Sequence, residues 1–190
     1  MLKIRPYKIT DRAVVRDICL ITAFGGNKIM SANKQRLTLL SYCDYYIDNE
    51  PELAFVVVDD TDTPVGYIFG SADYHVFFDK MIEKYIPEMM KINIFYAYAF
   101  KLYLYFNKFY GRKYPAHMHI DITEGCRRQG AGRALADALT NALRIKNIPY
   151  LFLQTDAKNI RARAFYKSCG FKEISSLFGC VTYIFDISAS

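Results

Sequence analysis

Residues 127–133 read Arg127-Arg128-Gln129-Gly130-Ala131-Gly132-Arg133, with a strand-like run before them and a helix-like run after. Two glycines one residue apart let the backbone turn tightly with no Cβ in the way. In the first turn of the helix that follows, the amide N–H groups lack intrahelical partners and point outward, and the helix dipole adds partial positive charge. Such a corner binds phosphate groups, and arginines beside it offer forked donors for phosphate oxygens. The segment lacks the third glycine of a dinucleotide-binding turn. It also lacks the Gly-Lys-Ser/Thr of a P-loop.

Working outward, His117 to Ile122 alternates as a strand, and Gly130 to Ile145 is an amphipathic helix with Ala134, Leu135, Ala138, Leu139 and Ala142 on one stripe. Tyr150 to Leu153 reads as a buried strand, Ile160 to Ser168 as a short helix stopped by Gly170, and Phe171 to Ser175 and Val181 to Ile187 as closing strands. Toward the N-terminus, Leu2 to Arg5 is a short strand ending at Pro6. A helix capped by Thr10 or Asp11 runs to about Phe24 and stops at Gly25-Gly26-Asn27, with Val14, Val15, Ile18, Cys19 and Ile21 as its apolar side. A second helix fits Ala32 to Ile47. Leu53 to Val58 and Val65 to Ser71 form a hairpin about the polar turn 59–64. Between the hairpin and the strand at 117 lies an unusual stretch, His75 to Tyr114. Its first part is helical but broken by Pro87, and its second, Ile92 to Tyr110, is crowded with Tyr and Phe. That run reads as core and helix-packing surface, or as a substrate-facing wall. The order of elements predicts a mixed sheet with helices packed on it.

The chain has 190 residues, enough for one domain with a full core, and no linker or repeat divides it. No stretch is long and apolar enough to span a membrane, because Lys101 interrupts the nearest candidate. The N-terminus lacks the apolar core of an export signal. Five cysteines without paired spacing suit free thiols in a reducing compartment, so a cytoplasmic location is expected. The net charge of +6 is scattered rather than gathered in a basic run, which argues against nucleic acid or a membrane surface as partner.

Arg-x-x-Gly-x-Gly from Arg127 is followed by Asn159, Ala162, Tyr166, Gly170 and Phe171, in the order Asn-x-x-Ala-x-x-x-Tyr-x-x-x-Gly-Phe. Together these resemble the GNAT superfamily of acyl-CoA-dependent N-acyltransferases. Ile4-Arg5-Pro6 followed by Asp11 is similar to that family's opening strand and helix. The string His117-Met118-His119-Ile120-Asp121-Ile122 most resembles the acetyltransferase-like domain attached to some O-linked N-acetylglucosamine hydrolases, and its free-standing bacterial relatives.

The resemblance implies an α/β GNAT fold: a mixed central β-sheet flanked by helices, with a helical, aromatic insertion at about 75–114 before the fourth strand. A single such domain is expected over residues 1–190. The resemblance also implies acetyl-CoA as acyl donor, its pyrophosphate held by Arg127, Arg128, Gln129, Gly130, Ala131, Gly132 and Arg133, with Asn159 contributing. The strands at 118–122 and 150–155 should splay, with pantetheine between them. Ile120 or Ile122 supplies a backbone N–H for the acetyl carbonyl, and Tyr166 matches the family's proton donor to the leaving thiolate. The acceptor is then a primary amine of a small molecule or peptide, and a homodimer is allowed for.

A base for the attacking ammonium is less clearly marked. His117, His119 and Asp121 alternate and share one strand face unless a bulge intervenes. Asp121 is the preferred site-facing carboxylate, with Glu124 and His119 behind it. Structural hydrogen bonding is the competing reading for each. Two histidines and a carboxylate could bind zinc, but the family needs no metal, and none is expected. The rival to an active enzyme is a non-catalytic CoA-binding module of the same fold. The intact Arg127, Gly130, Gly132, Asn159 and Tyr166 favour the enzyme.

Overall fold

Successive strand residues point to opposite faces of a sheet, and here two cores collect the two sets. In the computed structural model, which describes residues 2–23, 30–127 and 129–188, seven strands form one sheet. They are β1 (Lys3–Pro6), β2 (Ala54–Val58), β3 (Pro64–Ser71), β4 (Ala116–Ile122), β5 (Tyr150–Asp156), β6 (Lys172–Leu177) and β7 (Cys180–Asp186). Their order is β1-β2-β3-β4-β5-β7-β6. All neighbours pair antiparallel except β4 and β5, which are parallel. This is the mixed α/β architecture expected from the sequence.

Val56, Val58, Tyr67, Phe69 and Phe152 enter one core, together with residues from the helices α1 (Arg12–Ala23), α2 (Ala32–Tyr42), α3 (Asp44–Asn49), α4 (Tyr74–Lys80), α5 (Ile86–Ile92) and α6 (Ile94–Gly111). Val57, Ile68, Met118, Leu151 and Leu153 enter the other, against α7 (Ala131–Ile145) and residues from α8 (Ile160–Ser168). His117 to Ile122 pair with Ser71 to Gly66 in unbroken register, so His117, His119 and Asp121 do share a face.

Four sequence expectations change in detail. Asp11 does not cap α1 directly. A 3₁₀ turn, Ile9–Asp11, precedes that helix, and the Asp11 carboxylate turns back to accept two hydrogen bonds from Arg5 (2.7 and 2.9 Å) and one from the Lys8 amide. The helix expected over 32–47 is two helices. They meet at Cys43, whose backbone (φ −130°, ψ −60°) leaves the helical region. Pro87 does not break its helix. A π-helical turn, Met81–Tyr85, precedes it, and the Ile86 amide reaches back to Met81, so the chain stays helical while Pro87 falls near the start of α5, where no amide is needed. On α7 the buried line is Ala131, Leu135, Leu139 and Leu143, flanked by Ala136 and Thr140, whereas Ala134 is exposed. Alanine favours a helix in solvent or in the core, so leucine spacing sets the face. The stop expected at Gly25-Gly26-Asn27 lies outside the described residues.

Candidate active site

The sheet is open along most of one seam. Parallel pairing of β4 with β5 covers only Ala116 with Leu151 and His117 with Phe152. Each strand stays paired along its other edge, β4 to β3 as far as Ile122 and β5 to β7 as far as Asp156. The two strands therefore part beyond His117 and Phe152, as the family resemblance implies. The Thr123 amide donates to Val65 in front of β3 (3.0 Å). Because amide direction alternates along a strand, the N–H groups of Ile120 and Ile122 face the gap. The Ile122 carbonyl also faces away from β3, where it accepts a 2.9 Å hydrogen bond from Arg127 Nε.

The turn into α7 closes one end of this gap. Gly130 sits at the helix N-cap with φ +80°, in the left-handed region that glycine adopts without strain. Gly132 answers a different need, since a Cβ there would lie 2.9 Å from the Phe165 ring of α8. The first amides of a helix have no partner within the helix, which makes the start of α7 suited to an anion. Among the other predicted ligands, Ala131 is buried against α7's own core, and Gln129 Nε2 donates to the Gly125 carbonyl at 3.3 Å. The Arg133 guanidinium donates to the Ser168 carbonyl at the end of α8. Arg128 lies outside the described residues. Asn159 caps α8, accepting from the Ala162 amide at 3.1 Å.

Tyr166 projects from α8 with its ring packed on Phe165, Phe171 and Tyr183 at centroid distances of 5.4, 5.8 and 5.7 Å. Burial pushes its phenol well above the ordinary range, and the charge of Asp121 pushes the same way. The group is a neutral O–H at physiological pH.

Asp121 is not isolated. Its Oδ2 accepts the Tyr67 hydroxyl at 2.7 Å and meets His119 Nε2 at 3.0 Å. The Tyr42 ring stacks on His119, centroids 5.6 Å apart. Cys19 of α1 completes the group. Ligand-type atoms of Cys19, His119 and Asp121 lie within 4.8 Å of one another. Burial lowers the His119 pKa, but Asp121 and then Cys19 outweigh it and lift it to about 10, so the ring is protonated beside its carboxylate. Hydrogen bonding from Cys43, opposed by burial and aided by His119, draws the Cys19 thiol down to about 6. His119 and Asp121 are thus already paired to each other.

His117 shares their face but takes no part. It is enclosed by aromatic rings, with Nε2 3.0 Å from the Tyr46 hydroxyl, and burial followed by the charge of His119 holds it down to about 3. The alternating His-x-His-x-Asp is therefore not one ligand set. Glu124 is exposed on the turn Glu124–Cys126 and joins neither cluster. The sequence reading missed Cys19 and Tyr67 as neighbours of Asp121, and Tyr42 as the ring stacked on His119. Cys19 sits in the apolar stripe of α1, and the pairing of Tyr67 with Asp121 spans the whole insertion. No local pattern marks either.

On the same side of the sheet lies a cleft of about 600 Å³ between α2 and the α5–α6 junction. Leu37, Thr38, Tyr42, Ile92 and Tyr96 are among its walls. Tyr42 belongs both to this wall and to the stack on His119.

A model of the acetyltransferase (GNAT) family matches residues 24–171. The crystal structure of SsHAT is 27% identical and superposes with a TM-score of 0.86 over 98% of both chains. The fold also matches yncA, a putative acetyltransferase from Salmonella typhimurium solved with its cofactor acetyl-CoA (12% identity, TM-score 0.60, 100% of this chain and 95% of that one). A chain of the NatC complex bound to Gag peptide and CoA is 15% identical, with a TM-score of 0.58 over 97% of this chain and 98% of its own.

Proposed function

The chain belongs to the acetyltransferase (GNAT) family, and from that premise we propose that it transfers the acetyl group of acetyl-CoA to a primary amine by direct attack. The observation that carries this reading is the parting of β4 from β5 beyond His117 and Phe152, with the glycine turn of α7 at its end. A slender pantetheine arm would fit between the strands while the N-terminus of α7 takes the pyrophosphate. Gly130, Gly132 and Arg127 would form that corner, with Arg128, Gln129, Ala131, Arg133 and Asn159 around it.

Acetyl-CoA supplies an electrophilic thioester carbonyl. The amides of Ile120 and Ile122 would donate to its oxygen as negative charge develops there, at fixed positions that need no reorganisation. Tyr166, kept neutral by burial, would give its proton to the departing sulfur. Asp121 would draw the acceptor ammonium in by charge. It would also accept the ammonium proton, directly or through water, since a lysine-like amine has a pKa of roughly 10.4 and must be deprotonated before it attacks. The described residues lining the cleft beside Tyr42 include no carboxylate. We infer an acceptor whose amine is carried on an aromatic or apolar body rather than a polycation.

The test is calorimetry and thermal melting with acetyl-CoA, on wild type and on Gly130→Val, which forces a β-branched residue into the left-handed backbone. Wild type should bind and melt higher, because a ligand of the native state stabilises it by mass action. The variant should fold and lose the shift. Release of free CoA in the presence of aromatic alkylamines should accompany binding. Binding with no turnover on any amine would favour the non-catalytic module, and no binding would overturn the reading altogether.

A further inference from the structure

The metal set that the sequence offers and the set that the fold assembles differ by one residue. His117 is enclosed by rings and meets Tyr46, which leaves the His-x-His-x-Asp of β4 one ligand short. Cys19 takes its place. It sits on the core side of α1, 1% exposed, and brings its sulfur to the pair that β4 presents. Sγ of Cys19, a ring nitrogen of His119 and a carboxylate oxygen of Asp121 all lie within 4.8 Å of one another. Thiol, imidazole and carboxylate thus converge from the first long helix and the fourth strand.

Zinc binds sulfur at about 2.3 Å and nitrogen or oxygen at about 2.0–2.2 Å, which sets tetrahedral donors roughly 3.4–3.6 Å apart. His119 Nε2 and Asp121 Oδ2 already stand at 3.0 Å, and the widest pair has to close by about 1.4 Å at most. Neighbours hold each donor in place. Tyr67 donates to Asp121 at 2.7 Å, the Tyr42 ring stacks on His119 at 5.6 Å, and the Cys43 thiol donates to the Cys19 sulfur. Outer partners of this kind orient metal ligands and strengthen binding. Sulfur and imidazole select a borderline-soft ion over magnesium or calcium, which take oxygen ligands. The side chains of His119 and Asp121 are 30% and 22% exposed, so an ion can enter from the solvent side and keep a water as fourth ligand.

We propose that Cys19, His119 and Asp121 form a zinc site, and that zinc bound there excludes the amine from Asp121. The ion takes the position between His119 and Asp121, and the protons that His119 and Cys19 hold leave to solvent. The second half of the proposal rests on the acetyl-transfer reading, in which Asp121 draws in the ammonium. A carboxylate bound to zinc, with the ion's charge beside it, no longer attracts a cation. Zinc is then a reversible inhibitor that competes with the amine and leaves acetyl-CoA binding alone, since the pyrophosphate corner at α7 is built from other residues.

Cobalt(II) is the probe, because it takes zinc's tetrahedral geometry and a bound thiolate gives it an intense charge-transfer band in the near ultraviolet. Titrated into the reduced full chain, cobalt should raise that band to an end point at one equivalent, and zinc should bleach it. Cys19→Ala and His119→Gln should each weaken zinc binding about 100-fold or more, and Tyr67→Phe about 10-fold, the usual scale for an outer partner. Cys180→Ser, at a partly exposed thiol of β7, should leave the band intact. Circular dichroism checks folding; should Cys19→Ala unfold, His119→Gln and Asp121→Asn decide. No band in wild type would overturn the proposal. So would a band that survives Cys19→Ala, or one that His119→Gln leaves at full strength, the mark of a lone thiol. Turnover of an aromatic alkylamine, with free zinc held by a nitrilotriacetate buffer, should show KM for the amine rising with zinc at constant kcat. Cobalt bound at these residues with an unchanged amine KM would overturn the inhibition alone. The acetyl-transfer reading fails by a different measurement, the absence of acetyl-CoA binding.

Discussion

Replacing His117 with glutamine should make the protein less sensitive to acid. In the native fold His117 is caged by Tyr46, Tyr74, Phe77 and Phe152, at centroid distances of 5.6, 5.2, 4.3 and 5.8 Å. One ring nitrogen meets the Tyr46 hydroxyl, while the other, Nδ1, is buried without a hydrogen-bond partner among the described residues. Burial first, and the charge of His119 second, hold the pKa to about 3 against an ordinary 6.5. As pH falls, the unfolded chain therefore takes up a proton that the native one refuses. The stability tied to this group is fully present above pH 6.5 and is lost as pH falls from there toward about 3. Each unit below 6.5 costs about 1.4 kcal/mol, so the loss at pH 4.5 is about 2.7 kcal/mol. Glutamine keeps a polar group within reach of Tyr46 but does not titrate. Urea unfolding of both proteins at pH 7.5 and pH 4.5 gives the comparison. Carboxylates common to both contribute equally, so the acid loss should be smaller in the His117→Gln variant by about 2.7 kcal/mol. Parallel losses in the two proteins would refute the reasoning, as would an NMR titration of the native His117 ring near pH 6.

Tyr166→Phe should leave acetyl-CoA affinity within a few-fold and lower turnover roughly 10²-fold, the usual scale for a positioned acid; unchanged turnover with chemistry rate-limiting would remove it from the mechanism. Asp121→Asn should lower kcat/KM for an amine while sparing acetyl-CoA binding. It should also let the His119 pKa fall from about 10 to the ordinary range or below, because burial alone lowers it; a His119 titration that does not move would show that Asp121 is not what holds the proton there. Gly132→Val should drive a side chain against Phe165, destabilise the fold by about 1–3 kcal/mol and weaken acetyl-CoA binding. Gly125→Ala, whose Cβ would meet nothing within 4 Å, is the control, and equal melting temperatures for the two would contradict the packing argument.

The path of the chain was legible where local chemistry dictates it. Alternation at His117 to Ile122, the glycine turn at 130 and the stop at Gly170 each act over a few residues, and each strand or helix they imply is present. What the sequence could not disclose was contact at long range. Asp121 reads as one open carboxylate on a strand, yet Cys19 from α1 and Tyr67 from β3 gather round it, and Tyr42 from α2 stacks on its partner His119. Arg133 reads as one more phosphate ligand beside Arg127, yet its guanidinium reaches the carbonyl end of α8. Pro87 reads as a helix break because its missing amide is a local fact. The π turn that accommodates it depends on the packing of Met81 and Tyr85 in the core.

The gap between β4 and β5 also bears on how this sheet avoids sticking to its neighbours. A strand with a free row of amides and carbonyls is normally an invitation to aggregate, and proteins blunt it with charge, proline or a covering loop. Here the two free rows lie in the interior of the sheet and look at each other across a slot, with β3 behind one and β7 behind the other. Another protein's strand would need to enter lengthwise between them, which the paired residues at Ala116–His117 and Leu151–Phe152 block at the closed end. The rows are thereby shielded from a second sheet by the paired strands behind them and by the closed end of the seam, and Arg127 already caps one of their carbonyls, that of Ile122.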